Sequence, residues 1–333
     1  MSNNITETPG SNGSGLSGSE KPRSADHFVA PLEETPLVAI DVVNVAEKPS
    51  NLWIDAWRDA RRRPIFWISG ALILLVIVVA LFPWLFTNVL PNNDCHLENS
   101  NGGPVAGHPL GFTKQGCDVY SRIINGTSTS LAVGIIVIVL TTVLGIVFGA
   151  FAGFYGGAID AALSRVGDIF FSIPYILAAI VIMSVLSQYR SVWTISLAIG
   201  IFAWPSTARV LRAEILRVKN SDFVMASEAL GVSKSRILWR HVMPNSIAPV
   251  IAITTISLAG AIVAEATLSF LGVGLGSDIM SWGNDINQAQ RDIRTNPQTL
   301  IYPSIALSVT VFAFILLGEV IRDALDPKAR ALR

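Results

Sequence analysis

The chain has 333 residues, of which 51% are hydrophobic and only 14% are charged, with a mean hydropathy of +0.53. Soluble domains carry roughly 25% charged residues, so this composition excludes an ordinary soluble protein. The formal net charge is zero, so the chain has no global positive field of the kind that binds nucleic acid.

The first 64 residues divide into two predicted regions. Residues 1–50 begin with a Gly-, Ser-, Asn- and Pro-rich stretch that cannot bury enough apolar surface to order itself, so we predict a disordered cytosolic tail. Residues 51–64 place Trp53, Ile54 and Trp57 on one helical face beside several arginines. This pattern predicts an amphipathic helix in the lipid headgroup layer, and a plain cytosolic start to the first span would also explain it.

Six apolar runs follow within residues 65–333, each about as long as is needed to cross a ~30 Å hydrocarbon core. They cover residues 66–86, 129–151, 169–187, 191–208, 247–265 and 299–318. Pro205 is expected to kink the fourth run, because proline is tolerated in membrane helices. We predict an all-α integral membrane protein with six transmembrane helices.

The distribution of lysine and arginine orients these spans. Five of the 24 lysines and arginines lie on one side, and the other nineteen lie on the opposite side. The five are Lys114, Arg122, Arg190, Arg291 and Arg294. Cytosolic loops carry the excess of positive charge, so we predict cytosolic N and C termini and a cytosolic segment at 209–246. The loops at 87–128 and 266–298 are then external.

Both cysteines, Cys95 and Cys117, fall in the predicted external loop 87–128. The outside of a cell is oxidising, which favours a disulfide between them, and the alternative is a pair of free thiols. The spacing of these cysteines with His96 and His108 matches no zinc-binding pattern.

Few ionisable residues lie in or beside the spans, and charges inside hydrocarbon are costly enough to suggest function. We predict that Asp168 pairs with Arg165 at the cytosolic surface. Glu265 lies near the outer end of the fifth span and has no obvious partner in the local sequence. It is a candidate gate residue, and the alternative is a hydrogen bond at a helix end or interface.

The segment between the fourth and fifth spans reads as two short helices. Ser221 or Asp222 can cap the first, and Gly231 suits the left-handed position that ends a helix. Ser233 can cap the second, which Pro244 is predicted to stop before the fifth span. Two capped helices joined at one glycine form a stiff elbow, which can transmit a displacement from another protein.

The chain shows no sign of a catalytic centre. The phosphate-binding pattern G-x-x-x-x-G-K-[ST] does not occur, so the chain is not by itself an ATPase of that type. No histidine lies in a span, which argues against an intramembrane serine hydrolase. We therefore predict that the elbow receives force from a separate ATPase.

The elbow resembles the loop of binding-protein-dependent ABC importer permeases, written E-A-A, three residues, G, nine residues, I-x-L-P. Residues 225–227 occupy the E-A-A positions, Gly231 follows at the matching offset, and Pro244 ends the pattern. Met225 replaces the acidic residue, and Glu228 lies one turn away. The resemblance implies an ATPase-docking coupling segment within residues 222–244. Its residues are Met225, Ala226, Ser227, Glu228, Ala229, Leu230, Gly231, Val232, Ser233 and Pro244.

Further motifs narrow the family. Residues 107–111, followed by Asp118 and Arg122, resemble the external signature H-P-L-G-T-D-x-x-G-R-D-V-x-S-R, with Cys117 in place of its first arginine. Other family segments resemble the sequence at 153–157, 172–174, 265–274 and 322–327. Over residues 51–333 the chain is similar to C-type permease subunits of dipeptide/oligopeptide ABC importers, a pattern that nickel and some sugar importers share.

The resemblance implies a type I ABC importer permease fold over residues 65–333 in the bacterial plasma membrane. It implies a non-catalytic subunit without cofactors, since ATP and Mg bind to partner subunits. The implied partners are a homologous B-type permease, two ATPase subunits or one fused ATPase, and an extracellular solute-binding protein.

The expected function is import of dipeptides or oligopeptides, and the same architecture could import nickel, opines or oligosaccharides. The alternative from another class is a proton-coupled secondary transporter that uses Glu265 as a relay. The absence of visible internal repeats and of a second buried carboxylate argues against it.

Overall fold

The computed structural model describes residues 52–325, so the predicted tail at 1–50 lies outside the described residues. Most of the described chain is helical, with two isolated β-bridges in the segment that precedes the second long helix. The α-helices are α1 (Leu52–Ala60), α2 (Pro64–Leu81), α3 (Val119–Tyr155), α4 (Gly157–Ser172), α5 (Tyr175–Val185), α6 (Val192–Val218), α7 (Asp222–Ala229), α8 (Lys234–Ile237), α9 (Met243–Ser246), α10 (Ala248–Phe270), α11 (Trp282–Ala289) and α12 (Gln298–Leu325).

Five of the described helices, α2, α3, α6, α10 and α12, are long and apolar enough to cross a membrane. The pair α4–α5 adds a sixth span only as a bent unit, with an angle of 75° at the break. The predicted third span at 169–187 therefore does not correspond to one helix. Pro174 lacks an N–H and disfavours the helical conformation at Ile173, which is extended (φ −92°, ψ 119°).

Helices α3, α6, α10 and α12 all extend past their predicted apolar spans, and α3 and α6 do so by ten residues at one end. α3 begins at Val119 rather than near residue 129, and α6 continues through Pro205 to Val218 rather than ending near residue 208. Hydropathy marks only the part of a helix that suits hydrocarbon, and polar turns can continue it beyond the membrane core.

Helices α3 and α6 pack closely along a row of glycines. A Cβ on Gly149 would lie 2.6 Å from the Ala208 carbonyl oxygen, and a Cβ on Gly145 would lie 2.6 Å from Cβ of Thr207. Gly153 continues the row, with a Cβ position 3.0 Å from backbone of α6. Small residues at every fourth position allow this approach, so the backbones of the two helices are held at a fixed distance.

Helix α1 lies against the end of α12. Ala56 and Ala60 are buried in that contact, while Trp53, Ile54 and Trp57 are exposed. Of the helix predicted at 51–64, α1 covers Leu52–Ala60, whereas residues 61–63 form a turn and Pro64 begins α2. The location of α1 in the headgroup layer stays a prediction.

The segment between α2 and α3 is closed by a disulfide between Cys95 and Cys117, whose Cα atoms are 4.1 Å apart. Gly116 has a left-handed backbone with φ +74°. A Cβ on Gly116 would overlap the His96 carbonyl oxygen, so only glycine fits at this position. Both cysteine sulfurs are used in the disulfide, and within residues 52–325 no group of three His, Cys, Asp or Glu side chains is arranged to hold a metal ion.

Candidate functional site

The elbow consists of α7, the joint at Gly231, and the helical stretch from α8 to α9. The joint is a Schellman motif, in which the Val232 N–H donates to the Ser227 carbonyl (3.2 Å) and the Gly231 N–H donates to the Glu228 carbonyl (2.9 Å). Gly231 has φ +76°, a left-handed conformation that glycine adopts without a steric penalty. The predicted left-handed glycine joint is confirmed.

The second half of the elbow differs from the prediction. α8 passes into a π-turn over Leu238–Val242 and then into α9, so the backbone stays helical from Lys234 to Ser246. The prediction that Pro244 stops this helix is therefore wrong. Pro244 lies in the first turn of α9, directly after the π-turn, where the N–H that proline lacks is least needed.

The predicted caps occupy the right positions without acting as side-chain caps. Ser221 and Ser233 are the N-cap residues of α7 and α8, but neither hydroxyl accepts a capping hydrogen bond. The Ser221 hydroxyl instead donates to the Val218 carbonyl at the end of α6 (2.5 Å). This bond ties the start of the elbow to the helix before it.

The elbow has a buried underside. Val224 of α7, Ile237 of α8, and Leu238 and Val242 of the π-turn pack with Leu211 of α6 in one apolar cluster. Burial of these side chains fixes the two halves of the elbow against the bundle, because each buried aliphatic side chain stabilises by roughly 1.5–3 kcal/mol.

The outer surface of the elbow presents most of the predicted coupling residues to solvent. Leu230 is 83% exposed, although it has a large aliphatic side chain. Ser227 and Val232 are half-buried. The exposed set is Met225, Ala226, Glu228, Ala229, Leu230, Gly231, Ser233 and Pro244.

Two polar contacts anchor the elbow side of the bundle. The Lys219 ammonium donates to the carbonyls of Gly153 (3.2 Å) and Phe154 (3.4 Å) at the end of α3. The Arg212 guanidinium donates to both carboxylate oxygens of Asp160 in α4, each at 2.6 Å. These contacts join the end of α3 and the start of α4 to the part of the chain at the end of α6 that leads into the elbow.

Asp168 does not pair with Arg165, and that prediction is wrong. Its carboxylate accepts a hydrogen bond from Arg209 of α6 at 2.9 Å. The Arg209 guanidinium also stacks over the Phe171 ring, with Cζ 3.8 Å from the ring centroid. Packing of α4 against α6 decides this partner, which a three-residue spacing in the sequence could not indicate.

Glu265 lies at the centre of a hydroxyl cluster at the other end of the bundle. Its side chain is fully buried and accepts hydrogen bonds from Ser269 (2.8 Å) and from Ser130 of α3 (3.2 Å). The Ser130 hydroxyl in turn accepts a hydrogen bond from the Trp282 backbone N–H at the start of α11 (3.2 Å). The cluster thus joins α3, α10 and α11. Glu265 therefore has partners that sequence analysis could not find, since Ser130 is 135 positions away.

Arg122 and Asp285 form a buried ion pair beside this cluster. Arg122 Nε and Nη2 lie 2.8 Å and 2.5 Å from Asp285 Oδ1, and Arg122 Nη1 lies 2.6 Å from Asn92 Oδ1. Burial raises the pKa of the Asp285 carboxyl, and the charge of Arg122 acts in the opposite direction. Asp285 is a second buried carboxylate, so the sequence argument that none exists is wrong.

The H-P-L-G segment positions the start of α3. Asp118 is the N-cap of α3 and accepts a hydrogen bond from the Ser121 N–H at 2.7 Å. His108 Nδ1 lies 3.1 Å from the other oxygen of the same carboxylate. The motif residues His108, Asp118 and Arg122 thus hold the predicted external loop onto α3 and α11.

Comparisons with known proteins bear on these features. Residues 145–331 match the family described as binding-protein-dependent transport system inner membrane component. Residues 51–100 match the N-terminal TM domain of oligopeptide transport permease C. The chain belongs to the binding-protein-dependent permease family.

Among curated relatives, this permease is 32% identical over 290 residues to the oligopeptide transport system permease protein OppC of Bacillus subtilis. The matched region covers 87% of this chain and 94% of the relative. It is 33% identical over 301 residues to the glutathione transport system permease protein GsiD of Escherichia coli O157:H7, covering 90% of this chain and 97% of the relative. The fold resembles an inward-facing MetNI methionine ABC transporter with a TM-score of 0.51 and 20% identity, covering 62% of this chain and 96% of that one.

The family membership establishes the general role of the chain. It is a non-catalytic, membrane-embedded permease subunit of a bacterial inner-membrane ABC system, and ATP hydrolysis belongs to separate subunits. Such a system in general includes a solute-binding protein, another permease and ATPase partners.

Sequence analysis missed the functional partners that pack around the permease motifs. Asp285, Asn92, Ser130 and Ser269 were not singled out, although they surround Arg122 and Glu265. The sequence carries no signal for Asp285, because an arginine requires an acidic partner only when it is buried, and the burial of Arg122 is seen only in the tertiary structure.

Proposed function

We propose that this permease forms half of the translocation pathway of an ATP-driven importer of dipeptides or oligopeptides. The observation that supports it is the similarity to oligopeptide and glutathione permeases along nearly the whole chain. A homologous B-type permease supplies the other half, and an extracellular solute-binding protein delivers the peptide. ATP and Mg bind to the two ATPase subunits or to one fused ATPase.

The coupling step runs through the segment 222–244. Its exposed outer surface, centred on Leu230, docks on an ATPase subunit, and its buried underside transmits the displacement to α6. Glu228 stands in for the acidic residue that Met225 replaces, since both are exposed on this surface. The contact would close and open the bundle as nucleotide binds and is released.

Two further regions have proposed roles. The exposed Trp53, Ile54 and Trp57 of α1 dip into the headgroup layer, as expected for an interfacial helix within residues 51–64. Glu265 acts at an external gate by holding α3, α10 and α11 together through its hydroxyl partners.

The transport test uses the importer assembled from this permease and its partner subunits, reconstituted into proteoliposomes. Uptake of dialanine, trialanine, pentaalanine and glutathione is measured with ATP and the solute-binding protein, and uptake of nickel, an opine and maltose is measured in the same way. ATP-dependent uptake of the peptides supports the proposal. Uptake of only nickel, opine or sugar would contradict the substrate class, and uptake driven by a pH gradient without ATP would contradict the transporter class.

The coupling test uses single-cysteine labelling. Both native cysteines are in a disulfide, so an added cysteine is the only thiol of the chain. Leu230→Cys should crosslink to an ATPase subunit with a short bifunctional reagent, and the yield should depend on nucleotide. Tyr189→Cys is the matched control, since Tyr189 is also highly exposed but lies in the turn between α5 and α6. Equal crosslinking at both positions would argue against docking through the elbow.

A further inference from the structure

A cavity of about 390 Å³ lies between α3, α4 and α6, on the same side of the bundle as the elbow. Its inner wall is aromatic, because the Phe148 and Trp204 rings pack with centroids 4.3 Å apart and both line the cavity. Gly167 also lines the cavity, and a Cβ there would lie 3.7 Å from the Trp204 ring, so its lack of a side chain leaves this part of the wall open. The volume lies in the range of ~300–1,000 Å³ that is typical of small-molecule sites.

The rim of the cavity carries one exchangeable pair of opposite charges. Asp168 and Arg209 contact each other at 2.9 Å, and their side chains remain 53% and 48% exposed. An exposed ion pair contributes only about 0–1 kcal/mol, so a ligand can separate the two groups at little cost. Arg212 also lines the cavity, but two hydrogen bonds to Asp160 hold it in place.

These features select a ligand with three parts. A carboxylate beside a guanidinium matches a molecule that carries both an ammonium and an anionic group, and an aromatic wall matches an apolar body between them. On binding, the single ion pair between Asp168 and Arg209 would be replaced by two ion pairs, one between each of these residues and one charge of the ligand. Arg209 is already oriented by the Phe171 ring, which reduces the entropy that it loses on binding.

We propose that this cavity binds a short peptide by both of its termini, with the ammonium at Asp168 and the carboxylate at Arg209. The identity of the ligand as a peptide rests on the proposed function. The same zwitterionic chemistry occurs in the headgroup of phosphatidylethanolamine, so the test must separate the two sources. The site lies beside the end of α6 that leads into the elbow, at roughly 15 Å by the 1.5 Å rise per residue of a helix.

The experiment measures equilibrium binding of tritiated trialanine to the assembled importer, without nucleotide and without the solute-binding protein. The importer is held in nanodiscs of phosphatidylglycerol alone, which contain no ammonium headgroup. Unlabelled trialanine, N-acetyl-trialanine and trialanine amide serve as competitors. In the wild type, each blocked peptide should compete at least tenfold more weakly than free trialanine.

The variants assign each terminus to its residue. With Asp168→Asn, N-acetyl-trialanine should compete less than twofold more weakly than free trialanine, while trialanine amide keeps its full penalty, that is, its loss of competing strength. With Arg209→Gln, trialanine amide should lose its penalty and N-acetyl-trialanine should keep it. Asp55→Asn and Arg58→Gln are matched controls, because they remove the same groups from an exposed pair on α1 and should keep both penalties. Co-purification of the partner subunits checks that every variant is assembled.

Equal competition by free and blocked peptides in the wild type would overturn the proposal, as would penalties that persist unchanged in both variants. Loss of trialanine binding on adding phosphatidylethanolamine, in the wild type and not in Asp168→Asn, would assign the cavity to lipid and also overturn it. If terminus-dependent binding is absent but proteoliposomes still take up trialanine, this proposal fails and the proposed function stands. If binding is intact but ATP-dependent uptake of trialanine is absent, the result counts against the proposed function and not against the site.

Discussion

Arg122 and Asp285 are 163 positions apart in the chain, and their side chains form an ion pair that is almost wholly buried. Only 5% of the Arg122 side chain and 8% of the Asp285 side chain are exposed. The pair fastens α11 to the first turn of α3. Removal of one partner from a buried pair leaves an uncompensated charge and typically costs about 3–5 kcal/mol, whereas replacement of both by apolar residues is often neutral.

We therefore expect Arg122→Met to lower the thermal stability of the detergent-purified importer sharply, and Arg122→Met with Asp285→Leu to restore most of it. Differential scanning fluorimetry of the assembled complex measures both. A single variant as stable as the wild type would show that the pair contributes little to the fold.

The left-handed joint of the elbow predicts a specific effect of Gly231→Val. The joint has no neighbouring atoms within 4 Å of a Cβ, so the cost comes from backbone strain alone, about 1–2 kcal/mol. We expect the variant to assemble but to transport less peptide per ATP hydrolysed. Gly231→Asn is the control, because asparagine tolerates this conformation and should retain most coupling. Unchanged coupling in Gly231→Val would count against a rigid elbow.

The disulfide between Cys95 and Cys117 should be directly detectable. Peptide mapping of the non-reduced protein by mass spectrometry is expected to yield the linked pair, and labelling of both thiols under those conditions would refute it. The sequence separation is 22 residues, for which loop-closure entropy predicts about 3 kcal/mol of stabilisation. Cys95→Ser with Cys117→Ser should therefore lower the thermal stability of the complex.

The close approach of α3 and α6 predicts that even one methyl group is too many at Gly149. A Cβ there would lie 2.6 Å from a backbone oxygen, which cannot rotate away. We expect Gly149→Ala to destabilise the permease by about 1–3 kcal/mol, the usual cost of overpacking. Gly260→Ala in α10 is the matched control, because its Cβ would meet nothing within 4 Å. Equal melting temperatures of the two variants would contradict the packing account.

The hydroxyl cluster around Glu265 predicts different effects for two substitutions. Glu265→Gln preserves the shape and can keep the hydrogen bonds to Ser130 and Ser269, so transport should stay within about twofold of the wild type. Glu265→Ala removes them and leaves a buried void, and similar deletions cost about 2–5 kcal/mol. Peptide uptake and thermal stability should both fall. A large loss of uptake in Glu265→Gln would indicate that the charge itself is required, as a proton relay would demand.

The sequence alone indicated the features that depend on residues close together in the chain. Apolar runs long enough for a bilayer predicted the membrane helices, because transfer into hydrocarbon depends on composition over about 20 residues. The identity of Gly231 predicted a left-handed joint, because that conformation is easy only for glycine. The order of short motifs indicated the permease family, which the comparisons show.

Only the tertiary structure decided which distant groups meet. It paired Asp168 with Arg209 rather than Arg165, gave Glu265 its serine partners, and joined Arg122 to Asp285. It also continued the helix through Pro244 to Ser246, after a π-turn at Leu238–Val242. Each of these outcomes depends on how whole helices pack, and many pairings of polar groups are compatible with the same local sequence. For the buried groups around Glu265 and Arg122, burial removes water as a competing partner, so the arrangement that leaves the fewest polar groups unpaired prevails.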